Sequence, residues 1–308
     1  MADTKVSALA EVSVPDLADD LYLVDDTGPT SYKVGTDRLL GLLPSVCDGR
    51  LTLTSGTPVT TADVTAATSI YFTPYIGDRI AIYDGTRWRL YAFAELTLAL
   101  GTLTAALPYD VFIYDNAGTL TLEALAWTNG TTRATALVRQ NGVWCKTGAL
   151  TRRYLGTFYT TATTTTEDSA QKRYLFNRQN RVLRHGRNVP GGSHTIQNVA
   201  AREWNNGTAA RINFIVGLVE HPVRQTCGFR VDCPSSPNVL AYTNLNGVSG
   251  LYVQIFTSGT IALDAVFVDP SDIWIPTLGF NYLTLFEQEA ANQSTSVDIP
   301  YNLALLVM

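Results

Sequence analysis

Runs of β-branched, aromatic and aliphatic residues fill positions 50–176, and polar turn residues cut them at short intervals. That pattern predicts short strands joined by tight turns rather than helices. The clearest pair is Arg79-Ile80-Ala81-Ile82-Tyr83 and Thr86-Arg87-Trp88-Arg89-Leu90-Tyr91, around Asp84-Gly85. Asp-Gly favours a two-residue hairpin turn, because both central residues take positive φ and Gly does so without steric cost. Val111-Phe112-Ile113-Tyr114 and Thr119-Leu120-Thr121-Leu122-Glu123, around Asp115-Asn116-Ala117-Gly118, predict a second hairpin. Strands at this spacing, with Gly, Pro and Asp turns, predict a sandwich or open barrel over residues 44–177. Its aromatic residues Tyr71, Tyr75, Trp88, Tyr91, Tyr109, Phe112 and Trp144 are read as core or intersubunit packing. The threonine-rich run 160–166 fits a solvated loop or an edge strand, and is read as a loop.

The pattern changes on either side of this region. In residues 1–43, Leu21-Tyr22-Leu23-Val24 predicts a strand, 25–29 a turn, Ser31-Tyr32-Lys33-Val34 a return strand, and 38–43 a short helix capped by Thr36 or Asp37. So small a segment buries too little apolar surface to hold together alone. It is therefore read as an anchor that orders on a partner through Lys5, Leu9, Leu21, Tyr22, Leu23, Tyr32, Leu39 and Leu40. Residues 178–308 read as a basic connector and a second β domain, with Pro190-Gly191-Gly192-Ser193 at the boundary. Strands are predicted over 208–219, 251–256, 261–268 and 279–287, and the apolar end 302–308 is a strand expected to be buried in the sheet or between subunits. The turns between them predict a jelly-roll-like sandwich. The expected fold is thus all-β: a short N-terminal anchor followed by two β-sandwich or jelly-roll-like domains.

In the connector, Arg178, Arg181, Arg184 and Arg187 recur at every third residue. That spacing places them along one side of a helix or of a three-fold extended segment. They read either as a solvated connector or as subunit contacts whose guanidinium groups fork onto carboxylates of a neighbouring subunit.

Composition narrows the function classes. The 308 residues are 46% hydrophobic and 16% charged, which is globular rather than disordered. A formal charge of −5 offers no general attraction to nucleic acid or an anionic membrane, so neither is expected as a partner. No apolar run reaches the ~18–20 residues of a membrane span. The first residues lack the basic and apolar regions of a secretion signal, so folding in the cytoplasm of the producing cell is expected. Cys47, Cys145, Cys227 and Cys233 form no Cys-x-x-Cys pair; buried thiols are the main reading, with Cys227 and Cys233 close enough to pair across a hairpin. His185, His194 and His221 have no ligand or base partner at a recognised spacing. No nucleophile elbow or phosphate-binding glycine loop occurs. No catalytic residue, metal or cofactor is therefore expected, although a carboxylate pair that meets only in the fold stays open. Trp204, Tyr242, Tyr252, Trp274 and Tyr282 are candidate ligand contacts, because aromatic faces stack on sugars; core packing is the competing reading of each.

One resemblance sharpens this. Lys5-Val6-Ser7-Ala8-Leu9, Leu21-Tyr22-Leu23-Val24-Asp25-Asp26, Tyr32-Lys33-Val34 and Asp37-Arg38-Leu39-Leu40 resemble the virion-attachment segment of bacteriophage tail fibres and related appendages. Gly49-Arg50-Leu51-Thr52-Leu53, Tyr71-Phe72-Thr73-Pro74-Tyr75, Trp127-Thr128-Asn129-Gly130-Thr131 and Arg153-Tyr154-Leu155-Gly156-Thr157 are similar to a β-rich module of phage virion proteins. The resemblance covers residues 1–177 well and the rest loosely. It implies a homotrimeric virion structural protein that anchors to tail, portal-proximal or capsid proteins and presents its β domains to a host-surface glycan or protein. It carries over no catalytic residue. The alternatives are a head fibre, capsid decoration or tail adaptor protein with no receptor role, and a small glycan-degrading enzyme.

Overall fold

The computed structural model of the protein describes residues 20–24, 31–35, 44–197, 199–233, 238–256, 263–290 and 294–308. Among these the chain is almost entirely β-strand, and no α-helix occurs. β1 (Asp20–Val24) and β2 (Ser31–Gly35) form the expected antiparallel hairpin, with Leu21 opposite Val34 and Leu23 opposite Tyr32. They pair with no other described strand. The helix expected over 38–43, with Leu39 and Leu40, lies outside the described residues, as do Lys5 and Leu9.

The middle region runs β3 (Gly49–Thr52), β4 (Val64–Ala67), β5 (Ser69–Pro74), β6 (Arg79–Tyr83), β7 (Trp88–Ala92), β8 (Leu96–Ala99), β9 (Pro108–Asn116) and β10 (Thr119–Ala126). It continues with β11 (Leu137–Gln140), β12 (Val143–Lys146), β13 (Ala149–Ala162), β14 (Thr165–Asp168), β15 (Lys172–Arg173) and β16 (Leu175–Asn177). The three-stranded sheet β3-β5-β8 closes over β10-β9-β13. Leu51, Ile70, Phe72, Ile80, Val111, Ile113, Leu155 and Phe158 fill the space between them.

Both predicted hairpins form, by different turns. β9 and β10 are joined by Ala117 and Gly118 at φ 51° and 92°, a two-residue turn whose twist matches the flanking strands. Between β6 and β7, however, Tyr83 pairs with Trp88, so residues 84–87 all belong to the loop. Gly85 has φ 103°, whereas Asp84 acts through its side chain: Oδ1 accepts from the backbone N–H of Thr86 and of Arg87, each at 2.8 Å. The expected two-residue turn is thus replaced by a wider loop that the aspartate carboxylate closes.

The threonine run also departs from expectation. It is the end of β13, a two-residue turn at 163–164, and β14. Thr160 and Thr166 are fully buried. Thr160 Oγ1 donates to the Thr104 carbonyl at 2.7 Å, and Thr166 Oγ1 donates to that of Tyr159 at 2.8 Å. A β-branched side chain suits a pleated strand, and a hydroxyl satisfied by backbone oxygen can be buried there.

The C-terminal region comprises β17 (Leu183–Asn188), β18 (His194–Ile196), β19 (Val199–Glu203), a 3-10 turn (Trp204–Asn206), β20 (Ile212–Val216), β21 (Val223–Cys233) and β22 (Asn238–Leu245). β23 (Val248–Phe256), β24 (Leu263–Val268), β25 (Ser271–Trp274), β26 (Gly279–Glu289) and β27 (Thr295–Val307) follow. Strands β20-β26-β22-β23 make one layer, and β17-β27-β21-β24, with β18 and β25, make the other. Phe214, Leu283 and Leu306 pack in one cluster between the layers, and Phe229, Val239, Leu285 and Val297 in another. The apolar C-terminal strand is central: β27 is bonded to β17 on one side and β21 on the other.

The two regions share a sheet. β15 runs parallel to β20, with Lys172 opposite Asn213, so the strands of the middle region continue into the C-terminal layer. Beside this joint, Arg133 Nε donates to Asp110 Oδ2 at 2.7 Å, and Arg133 Nη2 reaches the Gly217 carbonyl. A Cβ on Gly217 would lie 2.2 Å from the Tyr154 hydroxyl, so only glycine lets the strands approach this closely.

Cys47, Cys145 and Cys227 are free, buried thiols. Burial pushes their pKa values up, that of Cys145 to about 11, which keeps them protonated and unreactive. Cys227 and Cys233 lie on the same strand, β21. Six residues of extended chain separate their Cα atoms by ~20 Å, beyond disulfide reach, so the hairpin pairing is ruled out.

Candidate functional site

From Asn302 onward β27 alternates. Asn302, Ala304 and Leu306 face inward and are buried, whereas Leu303 and Leu305 face outward, 39% and 41% exposed. Strand register sets their neighbours. Leu305 lies between His185 of β17 and Arg224 of β21, and Arg224 is opposite Ile273 of β25. Leu303 lies between Arg187 and Thr226. These side chains surround an open cavity of about 340 Å³ on the outer face of the six-stranded sheet. Leu183, 65% exposed, and Ile273, 66% exposed, extend its apolar surface.

The arginines expected at a subunit contact divide here. Arg178 Nη1 lies 3.6 Å from Glu220, and Arg181 pairs with the same carboxylate. Arg184 Nη2 meets Asp168 at 3.0 Å, where Arg173 also bonds. The carboxylates of these three therefore come from their own chain rather than from a neighbour. The expected helical or three-fold spacing is replaced by a loop carrying Arg178 and Arg181 and by strand β17, whose period is two. Arg187 differs: it is exposed and has no carboxylate among the described residues. Arg224, across the same cavity, is likewise exposed and has no carboxylate among the described residues.

The five aromatic candidates do not converge. Trp204 is a core residue, 2% exposed, with His194 edge-on at 4.6 Å and Phe229 at 5.4 Å, so its ligand role is replaced by packing. Trp274 is half-buried, and its Nε1 donates to Gln225 Oε1 at 3.2 Å. Tyr282 carries the Arg211 guanidinium 3.8 Å above its ring. Only Tyr242 and Tyr252 come together, as a cross-strand pair with ring centroids 5.3 Å apart; Tyr252 is 55% exposed, and Tyr242 bonds Gln288 through its hydroxyl.

Two polar arrangements were not foreseen. His194 Nε2 lies 3.0 and 2.8 Å from the two oxygens of Glu287. Glu287 is fully buried and also accepts from Arg202 Nε at 3.0 Å and the Asn205 backbone N–H at 3.2 Å. Its charge is thereby neutralised inside the sandwich. At the hairpin tips, Asp84, Thr86, Arg89, Leu90, Tyr91 and Asp115 line an open polar cleft of about 550 Å³. Burial works against ionisation of Asp84, but hydrogen bonds from Arg87 N–H, the Arg89 side chain and Thr86 N–H outweigh it and hold the carboxyl at about 2. Burial, with the hydrogen bond to Asp115, lifts Tyr91 to about 12. Neither group exchanges a proton near neutrality. Among the described residues no cluster of His, Cys, Asp and Glu is arranged to hold a metal.

The chain matches no family model and no curated protein. Among solved structures it is similar to the insecticidal delta-endotoxin Cry8Ea1 from Bacillus thuringiensis, at 9% identity and a TM-score of 0.27, covering 96% of this chain and 60% of that one. It is also similar to the infectious bursal disease virus VP2 subviral particle, at 4% identity and 0.27, covering 80% and 66%. A third likeness is to BuGH86wt in complex with neoagarooctaose, at 11% identity and 0.23, covering 79% and 33%. This chain thus spans less than two thirds of each of them. Likenesses this distant carry no functional argument.

Proposed function

We propose that the chain is a bacteriophage virion structural protein, an appendage subunit that assembles as a homotrimer, anchors to the particle through residues 1–43 and presents its β domains to the host surface. The observation that carries this reading is the outer face of the C-terminal sheet. Leu183, Leu303, Leu305 and Ile273 stand exposed beside two arginines without carboxylates, as on a surface that another protein covers. The resemblance of residues 1–177 to phage appendage proteins supplies the setting. The exposed ring of Tyr252 beside Tyr242 is the aromatic surface best placed for a host glycan. In this reading the chain folds in the host cytoplasm, ends in the virion and uses no cofactor.

Antibodies against the purified chain test the proposal on intact phage particles. Regular labelling of an appendage in electron micrographs, with no release of reducing ends when the chain is incubated with host polysaccharide, is the expected result. Absence from the particle, or turnover of the polysaccharide, would overturn it.

A further inference from the structure

The outer face of β17, β27 and β21 has a composition that selects its occupant. Two exposed leucines occupy its centre, and Arg187 and Arg224 stand diagonally on either side of them. From the strand spacing and rise the two arginine Cα atoms are ~12 Å apart. Two copies of this face meeting each other would bring the same unpaired cations together, which is unfavourable. Sugars stack on tyrosine and tryptophan rings, and neither lines this cavity. The face therefore suits an extended apolar segment that carries acids at both ends.

We propose that the occupant is residues 16–26 of a neighbouring copy: Asp16-Leu17-Ala18-Asp19-Asp20-Leu21-Tyr22-Leu23-Val24-Asp25-Asp26. The inference rests on the chain assembling with itself, names the contact, and takes residues 16–26 out of the particle anchor, leaving the rest of 1–43 to meet the particle. In this segment two pairs of aspartates bracket four consecutive apolar residues, and no lysine or arginine intervenes. In an extended segment Asp19, Leu21, Leu23 and Asp25 would alternate onto one face, the two acids ~20 Å apart, a span that two long arginine side chains reach from either side of the leucines. Strand β1, which contains Leu21 and Leu23, pairs only with β2 among the described strands. A two-stranded hairpin is marginal by itself and gains stability from an apolar surface to lie on. Its acids supply the carboxylates that Arg187 and Arg224 lack, whereas Arg178, Arg181 and Arg184 find theirs at home. The segment thus straps one subunit to the next.

The test is a charge swap in the full-length chain, read by light scattering over a range of concentrations. Arg187→Glu with Arg224→Glu weakens self-association by about tenfold or more, and so does the set Asp19→Lys, Asp20→Lys, Asp25→Lys and Asp26→Lys. Both sets together in one chain restore association, because the charges are complementary again. Circular dichroism confirms that each variant is folded. An oligomer indifferent to either set, or no recovery in the combined variant, overturns the strap while leaving assembly intact. A wild-type chain that stays monomeric overturns the assembly reading itself. An acidic polysaccharide that binds the wild type but not the Arg187→Glu, Arg224→Glu variant, with native mass unchanged by either set, makes the face a glycan site and also overturns the strap.

Discussion

Arginine does opposite work in the two regions of this molecule. In the middle region Arg153 is 1% exposed and meets no carboxylate. Its Nη1 donates to the carbonyls of Pro44, Val46 and Ala81 at 2.9, 2.8 and 2.7 Å, and its Nη2 donates to that of Ser45 at 3.2 Å. The planar guanidinium thereby staples the chain entering at residue 44 onto β6. In the C-terminal region Arg224 projects from β21 beside exposed leucines and meets no carboxylate among the described residues. A buried cation bonded to four backbone carbonyls specifies a fold, whereas an exposed one without a carboxylate, on an apolar face, is free to specify a neighbour.

Breaking the internal staple should have the largest effect. Arg153→Met leaves four carbonyls short of a donor, and urea unfolding of the variant is expected to show a loss of about 4 kcal/mol. Next comes a contrast within one strand. Leu306, fully buried between the sandwich layers, should cost about 3 kcal/mol on replacement by Ala. Leu305, one residue earlier, should change the stability of the isolated chain by less than ~0.5 kcal/mol, because it has little burial to lose. Equal losses at the two positions would remove the distinction between inner and outer face.

The smallest expected effect concerns pH. Asp84 has a folded-state pKa of about 2 against an ordinary value of 3.8. A depressed carboxyl contributes stability that is fully present above the ordinary value and is lost as pH falls through the folded one. Asp84→Asn should therefore be less stable by under ~1 kcal/mol at neutral pH, and the difference from wild type should shrink toward the folded-state pKa and vanish below it. A gap that persists in acid would mean the loop is held by something other than the carboxylate.

What the sequence revealed follows the range of the interactions. The all-β class and both hairpins were legible because turn chemistry is local: Ala117-Gly118 and Gly85 mark the reversals themselves. The closure by Asp84 was missed because Asp-Gly signals a positive-φ turn and an aspartate-capped loop alike. The polarity of the threonine run suggests exposure, although Thr160 and Thr166 satisfy their hydroxyls on backbone. Glu287 and His194 are 93 residues apart, and no spacing rule joins them. The candidate face was hidden for a different reason. Leu303 and Leu305 read as core by hydropathy, and only the buried polar Asn302 beside them reverses the phase of the strand. Arg224, across from them, carries no motif at all. Its meaning appears only when its neighbours and its missing carboxylate are seen together.

The most direct measurement is the native mass of the full-length chain by light scattering, beside the same chain with Leu303→Ser and Leu305→Ser. The account predicts a trimer for the wild type and a shift toward monomer for the variant, with the fold of both unchanged. A wild-type chain that is monomeric at every concentration, or a trimer untouched by the two serines, would contradict the claim that this face is made to be covered by another subunit.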